Sequence, residues 1–173
     1  MKALSSYIRF VNKTNEIMGK YFAWLTTVMV LVVVYDVILR YAFNISSVGM
    51  QELEWHIFAV SFLMGVPYAL LKNEHVRVDL FYSRFSQKQK AWIDFFGTLI
   101  FLIPFVLVVI YTSINYVENS ILLNESSPDP GGLPMRYILK SFIPLSFFFL
   151  LLQGISLLFK SLLTITNNNN EAL

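Results

Sequence analysis

The sequence contains no cysteine, which removes disulfides, thiolate nucleophiles and cysteine-ligated metals at once. It has two histidines, and only 14% of its 173 residues are charged, against about 25% in a soluble domain. A chain so short of charge cannot cover itself with polar surface in water. It also lacks a Gly-rich phosphate loop, a Ser-His-Asp set and carboxylates at metal-ligand spacing, so no enzyme activity and no cofactor are expected. The soluble frame and basic-aromatic interleaving of a nucleic-acid module are missing too. Apolar side chains are what it has in quantity: 56% of residues are hydrophobic, and the count includes sixteen Phe. The fold class that follows is all-α integral membrane.

Four apolar runs set the architecture: spans over about 21–39, 52–71, 93–117 and 137–159, making one membrane domain over 1–163. The nineteen residues of the first cover roughly 28 Å of helix, close to a bilayer core of about 30 Å. Its one charge, Asp36, has Arg40 four residues on, so an intrahelical pair is expected. The second carries Glu52 and Glu54 in its first turn, where carboxylates suit the positive end of the helix dipole. Its Ser61, Gly65 and Ala69 form a small-residue stripe for close helix approach, and Pro67 is expected to kink it. Ser86 and Gln89 have capping-box spacing, which starts the third helix at Ser86, with Pro104 bending it. Before the fourth span, Ser126 to Pro134 holds three prolines and two glycines, Gly131 and Gly132, around Asp129, and reads as a defined turn. Lys140 in the fourth span is expected to snorkel to the interface. Residues 164–173, with four consecutive Asn, read as a disordered polar tail.

Ahead of the first span, Arg9, Asn12, Lys13, Glu16 and Lys20 recur at three and four residues, opposite Leu4, Tyr7, Ile8, Val11, Ile17 and Met18. That is an amphipathic N-terminal helix with a basic face. Two placements are open to it: along an anionic bilayer surface, or as an extension of the first span packed on a neighbour. The longest polar interval, Lys72–Lys90, carries five basic residues against Glu74 and Asp79, a net charge of +3. Its second half, with Phe81, Tyr82 and Phe85 among Arg84, Lys88 and Lys90, reads as a segment lying at the lipid headgroups. With four spans, both termini and this interval share one side. That side holds Lys2, Arg9, Lys13, Lys20, Lys72, Arg77, Arg84, Lys88, Lys90 and Lys160; the other holds only Arg40, Arg136 and Lys140. Ten against three puts the termini in the cytoplasm.

His56 and His75 raise the possibility of a haem-binding anchor subunit of a redox enzyme. Nineteen helical residues hold them roughly 28 Å apart, too far to share one iron within this chain. A self-sufficient small transporter is the other alternative. Against it, the spans have little polar lining beyond Thr26, Thr27, Asp36, Asn115 and Gln153, and no paired broken helices. The residues alone lead to a small accessory membrane subunit with membrane lipids around it and a larger partner beside it.

Four short motifs go further. Arg40-Tyr-Ala-Phe-Asn44, Glu52-Leu53, Lys72-Asn-Glu-His-Val-Arg-Val-Asp79 and Ser127-Pro-Asp-Pro-Gly-Gly-Leu-Pro134 occur in this order across residues 20–160. Together they resemble the small membrane subunit, DctQ type, of the tripartite ATP-independent periplasmic (TRAP) transporters. One departure is that this family often has two adjacent acids where Gln51-Glu52 stands. The resemblance implies a scaffold in the bacterial inner membrane. Its partners would be a large elevator-type subunit that carries the substrate and sodium sites, and a periplasmic binding protein that delivers an organic acid such as a dicarboxylate or sialic acid. Within that reading, Ser61, Gly65, Ala69, Arg40 and Glu52 are candidates for helix packing or the large-subunit interface. His75, Arg77, Asp79, Arg84, Lys88 and Lys90 would form the cytoplasmic interfacial anchor, and Asp129, Gly131 and Gly132 the periplasmic loop.

Overall fold

The computed structural model of the chain describes residues 2–73 and 85–166. They form four long helices: α1 (Lys2–Ala42), α2 (Val48–Lys72), α3 (Gln87–Leu122) and α4 (Arg136–Thr166). All four are long and apolar enough to cross a membrane. The α1–α2 and α3–α4 connections lie at one end of the bundle, called here the loop end; Lys72 and Thr166 mark the opposite, tail end. α4 packs on each of the other three helices. Where α2, α3 and α4 meet, Leu70, Val106 and Leu150 are buried together, with Val66, Leu102, Ile110, Phe147 and Leu151 against them.

The N-terminal segment is continuous with the first span. α1 runs 41 residues, about 61 Å at about 1.5 Å per residue. Of the two placements open to this segment, the packed extension is the one observed. Val11, Asn15 and Gly19, four apart on one face, are buried. Asn15 Nδ2 donates to Gln153 Oε1 at 2.7 Å, and Gln153 Nε2 and Ser156 Oγ donate to Asn12 Oδ1 at 3.1 and 3.2 Å. The Tyr7 hydroxyl reaches the Leu152 carbonyl at 3.3 Å. This polar ladder fixes the register of α1 on α4, because sliding either helix would strand buried amides without partners. Farther along, Gly19 lies against the Tyr68 ring of α2, in space that a Cβ would overlap.

Prolines shape two helices in different ways. Pro67 has no N–H, so the Leu63 carbonyl four residues back loses its intrahelical donor. The fully buried Ser146 of α4 supplies the missing bond by donating its hydroxyl to Leu63 O. α2 passes through Pro67 as one continuous helix. Ser146→Ala is expected to cost about 1–2 kcal/mol, because that carbonyl then has no donor within an apolar bundle. Thermal unfolding in detergent reads the loss, and Ser141→Ala, whose hydroxyl bonds only Tyr137 O of its own helix, serves as the control.

Just ahead of Pro104, where a bend was expected, α3 widens into a π-helical turn over Thr98–Leu102. The wider turn relieves the clash between a helical proline and the carbonyl four residues before it. α3 starts at the expected capping box: Ser86 Oγ accepts from Gln89 N at 3.3 Å, and Gln89 Oε1 accepts from Ser86 N at 2.9 Å.

Two boundaries differ from the sequence expectation. α2 begins four residues early, because Ser47 caps it by accepting from Met50 N at 3.4 Å. Glu52 therefore stands beyond the first turn, where the helix dipole no longer explains it. α4 extends three residues into the expected tail: Leu162, Leu163 and Ile165 keep the apolar run going, and Thr164 Oγ1 bonds back to Lys160 O at 3.0 Å.

Candidate functional site

The loop end is built around one carboxylate. Glu52 is 4% exposed and faces the 126–135 loop. Its Oε1 accepts from Ser127 Oγ at 2.5 Å and from Arg136 Nη2 at 2.9 Å; its Oε2 accepts from the Leu133 backbone N–H at 2.6 Å. One side chain of α2 thus holds the start of the loop, its end, and the first residue of α4. Gly132 passes so close that a Cβ there would overlap Ser127 and approach Glu52 Oε2. Gly131 takes φ +82°, a conformation that side chains disfavour. Backbone bonds close the turn: Ser127 N to Leu133 O and Gly132 N to Asp129 O, both at 3.0 Å. The Asp129 N–H donates to Ser127 Oγ at 3.2 Å, while the rest of that residue stays exposed. Arg136 also lies 5.7 Å from the Trp55 ring centroid, a cation–π contact back to α2.

A second ion pair braces the same loop from α3's side. Glu125 pairs with Lys140 of α4 and accepts from Ser120 Oγ at 2.6 Å, while Arg136 N donates to the Glu125 carbonyl at 2.9 Å. The Lys140 ammonium sits 3.9 Å from the Tyr116 ring centroid. Its side chain is 14% exposed, held between that carboxylate and the aromatic face.

The hydrogen bond from Lys140, and after it the one from Ser120, hold the Glu125 carboxyl below its usual pKa. A depressed carboxylate pKa stabilises the fold above the unfolded value of about 4.3, and that contribution is lost as pH falls through the lower folded value. The thermal midpoint is therefore expected to be insensitive to this group at neutral pH and to drop below about pH 4. Glu125→Gln should flatten that acid limb; an unchanged limb would assign it to other carboxylates.

The other expected site residues fall in separate places. Arg40 pairs with Asp36 of its own helix, and Asp36 is buried. His56 shares its Nδ1 with Glu52 O at 2.5 Å and lines an apolar cavity of about 340 Å³ with Leu25, Leu53, Ile57 and Phe142. Ser61 bonds Ile57 O at 2.8 Å, within α2. A Cβ on Gly65 would meet nothing within 4 Å, so none of the described helices fills that part of the stripe. Phe58 and Phe62, on the same outward face, are exposed. Lys88 and Lys90 lie in the first turn of α3. His75, Arg77, Asp79 and Arg84 lie outside the described residues.

The join between Glu52 and the Pro-Gly loop unites two of the sequence motifs, in segments some 80 residues apart. A family model described as "Tripartite ATP-independent periplasmic transporters, DctQ component" matches residues 29–164. The chain belongs to the DctQ family. No curated protein and no solved structure matches it. The match takes in α1 from residue 29 on, all of α2 and α3, α4 as far as Thr164, and every residue of the Glu52 clamp, so this DctQ chain is a TRAP transporter small membrane subunit. The clamp also locates the departure at Gln51: that residue is exposed, whereas the carboxylate that holds the loop, Glu52, is present. Ser127, Leu133 and Arg136 as partners of Glu52 were not legible from spacing. The available signal was a helix-start acid together with a Pro-Gly loop, both in need of a partner.

Proposed function

We propose that this DctQ chain is a non-catalytic scaffold that stiffens and enlarges the fixed part of a TRAP transporter. The large membrane subunit carries the substrate and sodium sites and moves as an elevator against that fixed part. The observation that carries the reading is the pairing of a locked loop end with an open outward face. Glu52 and Glu125 tie α2, α3, α4 and the loop into one unit. On α2, exposed Phe58 and Phe62 beside the empty space at Gly65 offer a ridge and a notch to an incoming helix. The large subunit docks there in this reading. The excess of basic residues at the tail end supports cytoplasmic termini in a bacterial inner membrane. The loop end then faces the periplasm, where a binding protein delivers an organic acid of the dicarboxylate or sialic acid type.

Proteoliposomes test the division of labour. Vesicles holding this chain alone are expected to show no sodium-driven uptake of the organic acid, and vesicles holding it with the large subunit and loaded binding protein are expected to show it. Uptake by the chain alone would overturn the scaffold reading.

A further inference from the structure

The tail half of α1 has a second face that no other described residue covers. Val11, Asn15 and Gly19 turn inward, so the opposite side of the helix points away from the bundle. On that side stand Arg9, Lys13 and Lys20, separated by four and seven residues and therefore on one stripe. Lys72 of α2 joins them: Glu16 bonds Lys20 at 2.8 Å and Lys72 at 3.5 Å. Arg9 Nε makes a local bond to Ser5 O at 3.4 Å. Glu16 thus pairs with two of these four cations, and the five side chains together carry a net positive charge. Alongside run Phe10, Ile17, Tyr21 and Trp24, 58–72% exposed. Past Trp24 the same stripe turns wholly apolar, through exposed Val28, Leu31, Tyr35 and Ile38.

We propose that this patch is a binding site for anionic phospholipid, with Lys13, Lys20 and Lys72 on the headgroup phosphates and Tyr21 and Trp24 against the upper acyl chains. The order along α1 supports a lipid occupant: the cations end at Lys20, Tyr21 and Trp24 follow, and no charge stands on the exposed face from Val28 to Ile38, which is the polarity gradient from headgroup to hydrocarbon. A second copy of this chain would bring its own cations against these, and like charges repel. Because the inner face of α1 is pinned to α4 through Asn12 and Asn15, the cations are held at a fixed depth. A lipid held there would anchor the level at which the bundle sits in the bilayer. The inference stands on the geometry of α1 and does not depend on the transport reading.

The test uses the full chain with Trp55→Phe and Trp92→Phe, which leaves Trp24 as the single fluorophore. Phosphatidylcholine nanodiscs receive equal mole fractions of brominated phosphatidylglycerol or brominated phosphatidylcholine. The anionic phosphatidylglycerol should quench Trp24 more strongly, and the difference should shrink on raising salt. Lys13→Gln with Lys20→Gln should weaken the preference about fivefold per cation removed, whereas Lys88→Gln should not. Circular dichroism confirms that the variants fold, which exposed lysines permit. Equal quenching by the two lipids would overturn the proposal. So would protection of Trp24 from both, which would mean that protein covers the face.

Discussion

Glu52→Ala is expected to be the most damaging single substitution in the chain, costing about 3–5 kcal/mol of stability. Truncation removes the acceptor for three donors at once: the Ser127 hydroxyl, the Leu133 N–H and the Arg136 guanidinium. The larger part of the loss comes from Arg136, whose Nε is already buried without a partner and whose charge would then be left uncompensated. Release of the loop should follow, because Met135 sits at φ +60°, a strained value for a side-chain-bearing residue that its surroundings hold in place. Two further variants separate these contributions. Glu52→Ala with Arg136→Met should recover much of the loss, since no orphaned charge remains. Gln51→Ala, at the exposed neighbour, should sit within about 0.5 kcal/mol of the parent. Thermal unfolding in one mild detergent, with protease sensitivity of the 126–135 loop as a second reading, checks all three. A Glu52→Ala midpoint equal to the parent's would mean that the clamp does not hold the loop.

Gly19→Leu is expected to follow in severity. The space a Cβ would take lies at the root of the Tyr68 ring, not at the tip of a flexible side chain, so neither partner has room to move aside. Overpacking of this kind costs about 1–3 kcal/mol, and this contact belongs at the upper end. The strain should appear as separation of α1 from α2 and loosening of the neighbouring Glu16–Lys72 contact. Adding Tyr68→Ala removes the obstruction and should restore much of the midpoint. If the single variant is as stable as the parent, the two helices do not pack as closely as described.

Much of the fold can be read from the chain, and the reasons are local. Apolar runs of bilayer length leave helices as the simplest way to satisfy the backbone, so four spans follow from composition alone. Asp36–Arg40 and the Ser86 capping box are contacts between residues three or four apart, which sequence spacing sees directly. What was not legible depends on which helices meet and at what height. Asn12 looks like part of a polar outer face until Gln153 and Ser156 are placed opposite it. The ion pair of Lys140 appears only when the chain returns Glu125 to its side. Pro67 marks a missing backbone bond, but not that Ser146 of another helix supplies it. In each case a polar group's role was set by a partner more than ten residues away, and periodicity carries no information about such partners. Gly65 is the converse case: small-residue spacing suggests packing, and only the three-dimensional arrangement reveals that this chain leaves the position empty.

That empty position leads to the most direct measurement. The chain and its large membrane subunit are co-expressed, extracted in a mild detergent and purified through a tag on the large subunit. The scaffold account predicts a stable one-to-one complex, its loss in Phe62→Lys and Gly65→Trp, and unchanged thermal midpoints for both variants as isolated chains, since neither residue packs within this bundle. Absence of a complex for the parent chain, or full retention of the complex in both variants, would contradict it.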